Sequence, residues 1–221
     1  MKVIAFHTGG RYVEEAALLK ASLDRVKMDY FITEFNPVKD WDRAVAMKPR
    51  YIADCLKRFK EPLLMVDVDA FFHSNCDAYF DGIQSDFGVH YFQGPKGGYD
   101  QTRNDNHLLS GTTYWNNTPC ARLLLAAWQL RNEEKQAKGN WEGGGQANLA
   151  EVLAEELVAG LKTHLLPGRF CWVFDKSWAY PKGCVPVIEH LIASRENRGM
   201  SVGTINESRQ QRILELKEVV R

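Results

Sequence analysis

Apolar residues fall along this chain in two rhythms, short continuous runs and longer stripes at helical spacing. Lys2 to Phe6 reads as a buried strand and ends in the turn His7-Thr8-Gly9-Gly10. From Val13 to Lys27, the positions Ala16, Leu19, Leu23 and Val26 lie on one face of a helix. Asp29 to Phe35 returns to a strand pattern. A strand, a glycine turn, a helix and a second strand make a βαβ opening, and such units build parallel sheets. Ligands of parallel sheets bind beyond the carboxyl ends of the strands. His7 and Thr8 stand at that end, where a ligand contact and a plain turn residue both fit His7.

Further along, Pro49-Arg50-Tyr51 opens a helix whose buried face is Ile52, Leu56 and Phe59. Lys48 lies just before its N-terminus, a position from which a lysine can hold an anion. Leu63 to Val66 is a second buried strand run, and Phe87 to Phe92 a third. Residues 94–106 are polar and glycine-rich and read as a loop without the phosphate-loop pattern. His107 to Trp115 is a strand with a small-residue opening at Ser110 and Gly111, suited to close approach of a ligand or to a bulge. Thr118-Pro119 caps a helix running to about residue 135. Three glycines, Gly143 to Gly145, precede a helix from Gln146 to Val158, with Glu142 and Gln146 flanking them. Short strands follow at Leu165-Leu166, Phe170 to Phe174 and Val185 to Ile188, the last leading into Glu189-His190. Thr204 and Glu207 form a capping box for a terminal helix, Ser208 to Val220.

Composition narrows the classes. The 221 residues are enough for one well-cored domain, expected to span residues 1–221. Lys plus Arg equals Asp plus Glu at 28 each, which gives no support for broad nucleic-acid or membrane-surface affinity. The five cysteines are odd in number and contain no Cys-x-x-Cys pair, against a disulfide framework or a zinc site. No apolar run approaches the roughly 20 residues that span a bilayer, so no membrane partner is expected and the expected location is the cytoplasm.

The chemistry centres on Asp67 and Asp69, placed directly after the strand Leu63 to Val66. In an extended chain residues i and i+2 point to one side, so both carboxylates would face one spot. Their mutual repulsion is relieved by a hard divalent cation, Mg²⁺ or Mn²⁺, bridging to a phosphate-bearing ligand. Two solvated aspartates at a strand end are the plain alternative. His190 carries an imidazole that could ligate such an ion or serve a structural role.

Together these pieces resemble the GT-A class of nucleotide-sugar-dependent glycosyltransferases, in particular the small family of nucleotide-diphospho-sugar transferases, from roughly Lys2 to Arg198. Val66-Asp67-Val68-Asp69 matches the family's D-x-D motif, and Leu109-Ser110-Gly111-Thr112 its sugar-pocket segment. Glu189-His190-Leu191 matches a late metal-binding histidine, and Ala46-Met47-Lys48-Pro49 the lysine segment upstream of the motif. The resemblance implies a single α/β domain, GT-A-like or Rossmann-like, with a mostly parallel central sheet flanked by helices. It implies that Asp67, Asp69 and His190 hold Mn²⁺ or Mg²⁺ against the donor's diphosphate. His7, Thr8, Lys48, Asp67, Ser110, Gly111, Ser194 and Arg195 would contact the nucleotide sugar, and Asp69, Glu142 and Gln146 would stand at the reaction centre.

One departure is visible. Many relatives carry an acidic residue directly before the glutamine that opens the later helix, and here that place is Gly145, with Glu142 the nearest carboxylate. The expected activity is metal-dependent transfer of a sugar from a nucleoside diphosphate, UDP being the expected one, to an acceptor. A glycan, a protein, a small molecule and a modified nucleic-acid base all remain open as that acceptor, since Trp115, Trp141, Trp172 and Trp178 suit stacking or a core equally well. The alternatives are a sugar-phosphate nucleotidyltransferase and a non-catalytic nucleotide-sugar-binding protein. Nothing in the sequence speaks to oligomeric state.

Overall fold

The computed structural model describes residues 1–10, 12–37, 41–92, 107–139, 144–193 and 204–221. Nine strands are described: β1 (Lys2–His7), β2 (Asp29–Glu34), β3 (Leu63–Val66), β4 (Ala70–Phe72), β5 (Phe87–Phe92), β6 (His107–Trp115), β7 (Thr163–Leu165), β8 (Trp172–Val173) and β9 (Ile188–His190). The α-helices are α1 (Tyr12–Val26), α2 (Trp41–Ala46), α3 (Lys48–Phe59), α4 (Asp77–Phe80), α5 (Pro119–Ala137), α6 (Gly144–Ala154) and α7 (Thr204–Val219).

A six-stranded sheet in the order β2-β1-β3-β6-β5-β7 forms the centre. β1 pairs in parallel with β2 and β3, and β5 with β7, whereas β6 is antiparallel to both β3 and β5. Only β6 therefore runs against the others, and the expected mostly parallel α/β architecture is the one observed. A three-stranded sheet, β4-β9-β8, stands beside it.

Alternation along the central strands makes two cores from one sheet. Val3, Ala5, Leu64 and Val66 face α1, meeting Ala16, Leu19 and Leu23. Ile4, Leu63 and Met65 face the other way, into Ile52 and Leu56 of α3, Leu124 and Trp128 of α5, and Leu149 of α6. With both faces covered, β3 is buried at every position, as its unbroken apolar run foretells. Local capping holds the framework in register: Thr118 Oγ1 accepts the Ala121 N–H at 3.2 Å, with Pro119 in the first turn of α5.

Departures from the sequence reading cluster where pairing is non-local. Ala70–Phe72 is a strand because it finds β9, with Ala70 opposite His190 and Phe72 opposite Ile188. The same pairing shifts the late strand from the expected Val185–Ile188 to Ile188–His190, so His190 lies inside the strand. Of the expected strand Phe170–Phe174 only Trp172–Val173 is extended, with a single 3₁₀ turn before it (Gly168–Phe170) and a kinked 3₁₀ segment after it (Phe174–Ala179). Trp41–Ala46, which carried no assignment, is a short helix leading into α3.

Candidate functional site

The site lies at the carboxyl ends of β1 and β3, which are parallel neighbours in the sheet. β3 stops at Val66, and the Ala70 N–H donates to the Asp67 carbonyl at 3.0 Å, closing a turn over residues 67–70. The extended geometry expected for Asp67 and Asp69 is thus replaced by a turn. The two carboxylates consequently have different partners.

Asp67 turns to Lys48. The Lys48 Nζ lies 2.6 Å from Asp67 Oδ1 and donates to the Ser110 carbonyl at 3.2 Å. Lys48 is the first residue of α3 rather than the residue before it, and its side chain is nearly buried. A cationic group is therefore held at the sheet's carboxyl end with its ammonium fixed by an anion and a carbonyl dipole.

Asp69 turns to His190. Its Oδ1 stands 3.7 Å from His190 Nδ1, and its Oδ2 accepts the Ala193 N–H at 2.6 Å. The other imidazole nitrogen, Nε2, shares a 2.8 Å hydrogen bond with Thr112 Oγ1. Burial works against a charged imidazole, yet Asp69, followed by Cys171, more than offsets this and holds His190 well above the usual imidazole range. Burial likewise disfavours the Asp69 carboxylate, but His190, the Ala193 N–H and Arg209 pull it below the usual carboxylate range. Each group thus favours the charged form of the other.

Gly111 makes room for that pair. A methyl group added to Gly111 would come within 3.1 Å of His190 Cε1 and 3.2 Å of Nδ1. The imidazole thus lies directly over the glycine. Of the two roles expected for this segment the bulge is observed, since the pairing of β5 with β6 shifts register between Val89 and His90, opposite Ser110 to Thr112. The Gly111 carbonyl accepts the Asp67 N–H at 2.8 Å, tying the irregular stretch of β6 to the turn.

Gln146 of α6 completes this side, its Oε1 accepting the Ser110 N–H at 2.9 Å. Gly145, the place of the acid in many relatives, is a crowded position for a side chain. A Cβ there would lie 3.0 Å from Val45 Cγ1, and the Gly145 carbonyl already accepts the Trp128 indole N–H at 2.7 Å.

The structure therefore joins Lys48, Asp67, Ser110, Gly111 and Gln146 into one bonded group, and Asp69, His190 and Thr112 into a second, linked through the turn and β6. His7 ends β1 at the same edge, its Nδ1 accepting the Gly9 N–H at 3.3 Å, with Thr8 beside it. Glu142, Ser194 and Arg195 lie outside the described residues. Among the described residues no group of three His, Cys, Asp or Glu side chains gathers around one point. The sequence reading did not single out Thr112 as a partner of His190, although it sits within the segment that was flagged. Nor did it find Arg209 and Arg212, which only the packing of α7 brings near His190.

A mixed sheet of this order, with an aspartate-bearing turn after a central strand and a histidine from a neighbouring short strand, defines a GT-A-like α/β transferase. The sequence model of the nucleotide-diphospho-sugar transferase family matches residues 17–194. The chain belongs to this family, whose donors are nucleotide sugars, and it is a glycosyltransferase. Among solved structures it is similar to a glycosyltransferase involved in the glycosylation of the major capsid of PBCV-1, with a TM-score of 0.64 and 13% identity, covering 89% of this chain and 96% of that one. It is also similar to the glycosyltransferase GlyE of Streptococcus pneumoniae TIGR4, with a TM-score of 0.60 and 14% identity, covering 96% of this chain and 60% of that one. At these identities the likeness is one of fold. No curated protein matches the chain. Among the described residues no helix is long and apolar enough to cross a membrane.

Proposed function

We propose that the enzyme transfers a sugar from a UDP-sugar with the help of Mn²⁺ or Mg²⁺. The observation that carries the reading is the facing of the Asp69 carboxylate and His190 Nδ1 at 3.7 Å, with Nε2 engaged by Thr112. A hard cation of this type needs few protein ligands, because phosphate oxygens and water complete its shell. Loss of the His190 Nδ1 proton as the ion binds would leave an oxygen and a nitrogen donor on opposed side chains, with the histidine anchored through its second nitrogen. When bound, the ion would neutralise charge on the departing nucleoside diphosphate.

The chain's own residues have separable parts in this reading. Lys48 supplies a fixed positive charge for the diphosphate, with Asp67 aiming its ammonium. Ser110 and Gly111 form the floor of the sugar pocket, and Gln146 holds that floor by binding the Ser110 N–H. His7 and Thr8 line the nucleotide end, with Ser194 and Arg195 as further phosphate or sugar contacts. Since position 145 carries no carboxylate, Glu142 is the acid assigned to the acceptor. Glu142→Gln should impair transfer more than donor binding. The acceptor is a glycan, a protein, a small molecule or a modified nucleic-acid base, and acceptor screening with the identified donor decides among them.

Calorimetric titration of the full chain with UDP, GDP and their common sugar forms, with and without Mn²⁺, tests the proposal. Binding that requires Mn²⁺ and favours a UDP-sugar is the expected result. Equal binding with and without the metal would remove the ion from the reading, and preference for GDP-sugars would replace the donor.

A further inference from the structure

Two arginines of α7 reach the strand that carries His190, and they hold the residues on either side of it. Arg212 grips Glu189 with two bonds, Nε to Oε1 at 3.0 Å and Nη2 to Oε2 at 2.8 Å. His73 Nε2 stands 2.7 Å from the same Oε2. Glu189 is 2% exposed, and although burial disfavours its charge, His73 and Arg212 hold it below the usual carboxylate range. Arg209 donates through Nε to the Leu191 carbonyl at 2.8 Å, while its Nη2 pairs with Glu15 of α1.

The segment beyond is bent back on Asp69. Ile192 has a φ of 53°, in the left-handed region that a β-branched residue rarely enters and that costs about 1–2 kcal/mol. This inversion lets the Leu191 N–H meet the Asp69 carbonyl at 3.0 Å and the Ala193 N–H meet Asp69 Oδ2 at 2.6 Å. An uncommon conformation persists only where its surroundings over-determine it. Here the restraints are Asp69 on one side and Arg209 and Arg212 on the other. Because neighbouring side chains on a strand point to opposite faces, fixing Glu189 towards α7 directs His190 to the other face of β9.

We infer that Arg209 and Arg212 are positioning residues for the Asp69–His190 pair, clamping β9 so that both donors keep the geometry a divalent cation needs. The inference rests on the reading of Asp69 and His190 as metal ligands. The forked, always-charged guanidinium is suited to the task because each bond it makes fixes direction as well as distance. Adhesion of α7 comes from a separate source, Ile213 and Leu216 packed on Leu18, Phe71 and Leu191. The arginine bonds are therefore not needed merely to hold the helix.

The test measures Mn²⁺ binding to the full chain, with Mn²⁺ alone as the probe and the spin-resonance signal of the free ion as readout. The variants are Arg212→Gln, the milder Arg212→Lys, and Glu15→Gln/Arg209→Gln, which neutralises both members of that ion pair together. His190→Ala and the distant core variant Leu124→Ala serve as controls, and melting temperatures are recorded for all. The expected result is a Mn²⁺ affinity at least about tenfold weaker in Arg212→Gln and in the paired variant, as for outer residues of metal sites. Arg212→Lys should lie in between, and Leu124→Ala should bind as wild type despite its lower melting temperature. Wild-type affinity in the arginine variants, with weakened binding in His190→Ala, would overturn the clamp alone. Equal weakening in Leu124→Ala would reduce the arginines to general stability and also overturn it. If His190→Ala binds Mn²⁺ as wild type does, the metal reading falls and the clamp falls with it.

Discussion

Lys48 and Asp67 form an ion pair 2.6 Å apart whose two ends see different surroundings: the lysine side chain is 7% exposed, the aspartate 42%. The pair thus has a dry end inside α3 and β6 and a wet end open to whatever enters the site. A diphosphate arriving there would meet a cation already stripped of most of its water, which strengthens the contact relative to a surface lysine.

Replacing that cation separates binding from folding. Lys48→Met leaves behind Asp67, which water reaches, and the Ser110 carbonyl, so the stability loss should be modest, about 1–2 kcal/mol. Donor affinity should fall at least about tenfold, since a charge-assisted contact to phosphate is lost. Calorimetry with the nucleotide sugar, set beside urea unfolding, measures both. Donor affinity within twofold of wild type would take Lys48 out of the phosphate site.

Asp69 should behave differently, because it is buried, with Oδ2 bonded to the Ala193 N–H and Oδ1 facing His190. Asp69→Ala leaves the His190 imidazolium and the Ala193 N–H without partners, and breaking a buried pair in this way costs about 3–5 kcal/mol. Asp69→Asn keeps an acceptor for Ala193 and should lose less. Both should lose Mn²⁺ binding. Chemical unfolding of the two variants, run with and without Mn²⁺, gives the comparison. Stabilisation of Asp69→Asn by Mn²⁺ equal to that of wild type would contradict the assignment.

Gly111 gives a test that touches no charge. A methyl group placed 3.1–3.3 Å from three atoms of the His190 ring requires the imidazole to shift. Overpacking of this sort costs about 1–3 kcal/mol. Gly111→Ala should therefore weaken Mn²⁺ binding, with its donor-free fold retained by circular dichroism. A Gly111→Ala protein with unchanged Mn²⁺ affinity would show that the ring's position over the glycine does not matter to the metal.

Much of the framework was legible because it depends on local patterning. The run Leu63 to Val66, the helical stripe Ala16-Leu19-Leu23 and the Thr118-Pro119 cap each carry their signal within a few residues. The βαβ opening then fixes the end of the sheet at which Lys48, Asp67 and Ser110 meet. What was not legible depends on contacts between distant segments. β4 exists because β9 lies beside it, and the turn at 67–70 parts two aspartates that an extended chain would align. Arg209 and Arg212 lie on a helix that the sequence marks only by its capping box. Their role follows only from where α7 docks, and no spacing in the sequence announces a contact between residues 191 and 209.

The absence of an acid at Gly145 is enforced by a neighbour, and that makes it testable by a mutant cycle. A Cβ at this position meets Val45 Cγ1 at 3.0 Å, and a branched side chain on a helix has little freedom to turn away. Alanine would gain up to about 1 kcal/mol from helix propensity, against an overpacking cost of about 1–3 kcal/mol. Gly145→Asp adds a carboxylate confined beside Val45 and the Trp128 ring, and should be the less stable of the two. Val45→Ala opens the space, so Val45→Ala/Gly145→Asp should recover stability relative to Gly145→Asp, with a coupling of about 1 kcal/mol or more between the sites. Thermal or urea unfolding of the two single variants and the double variant measures that coupling. Strict additivity would mean that Val45 does not guard the position, and that the glycine is held there for another reason.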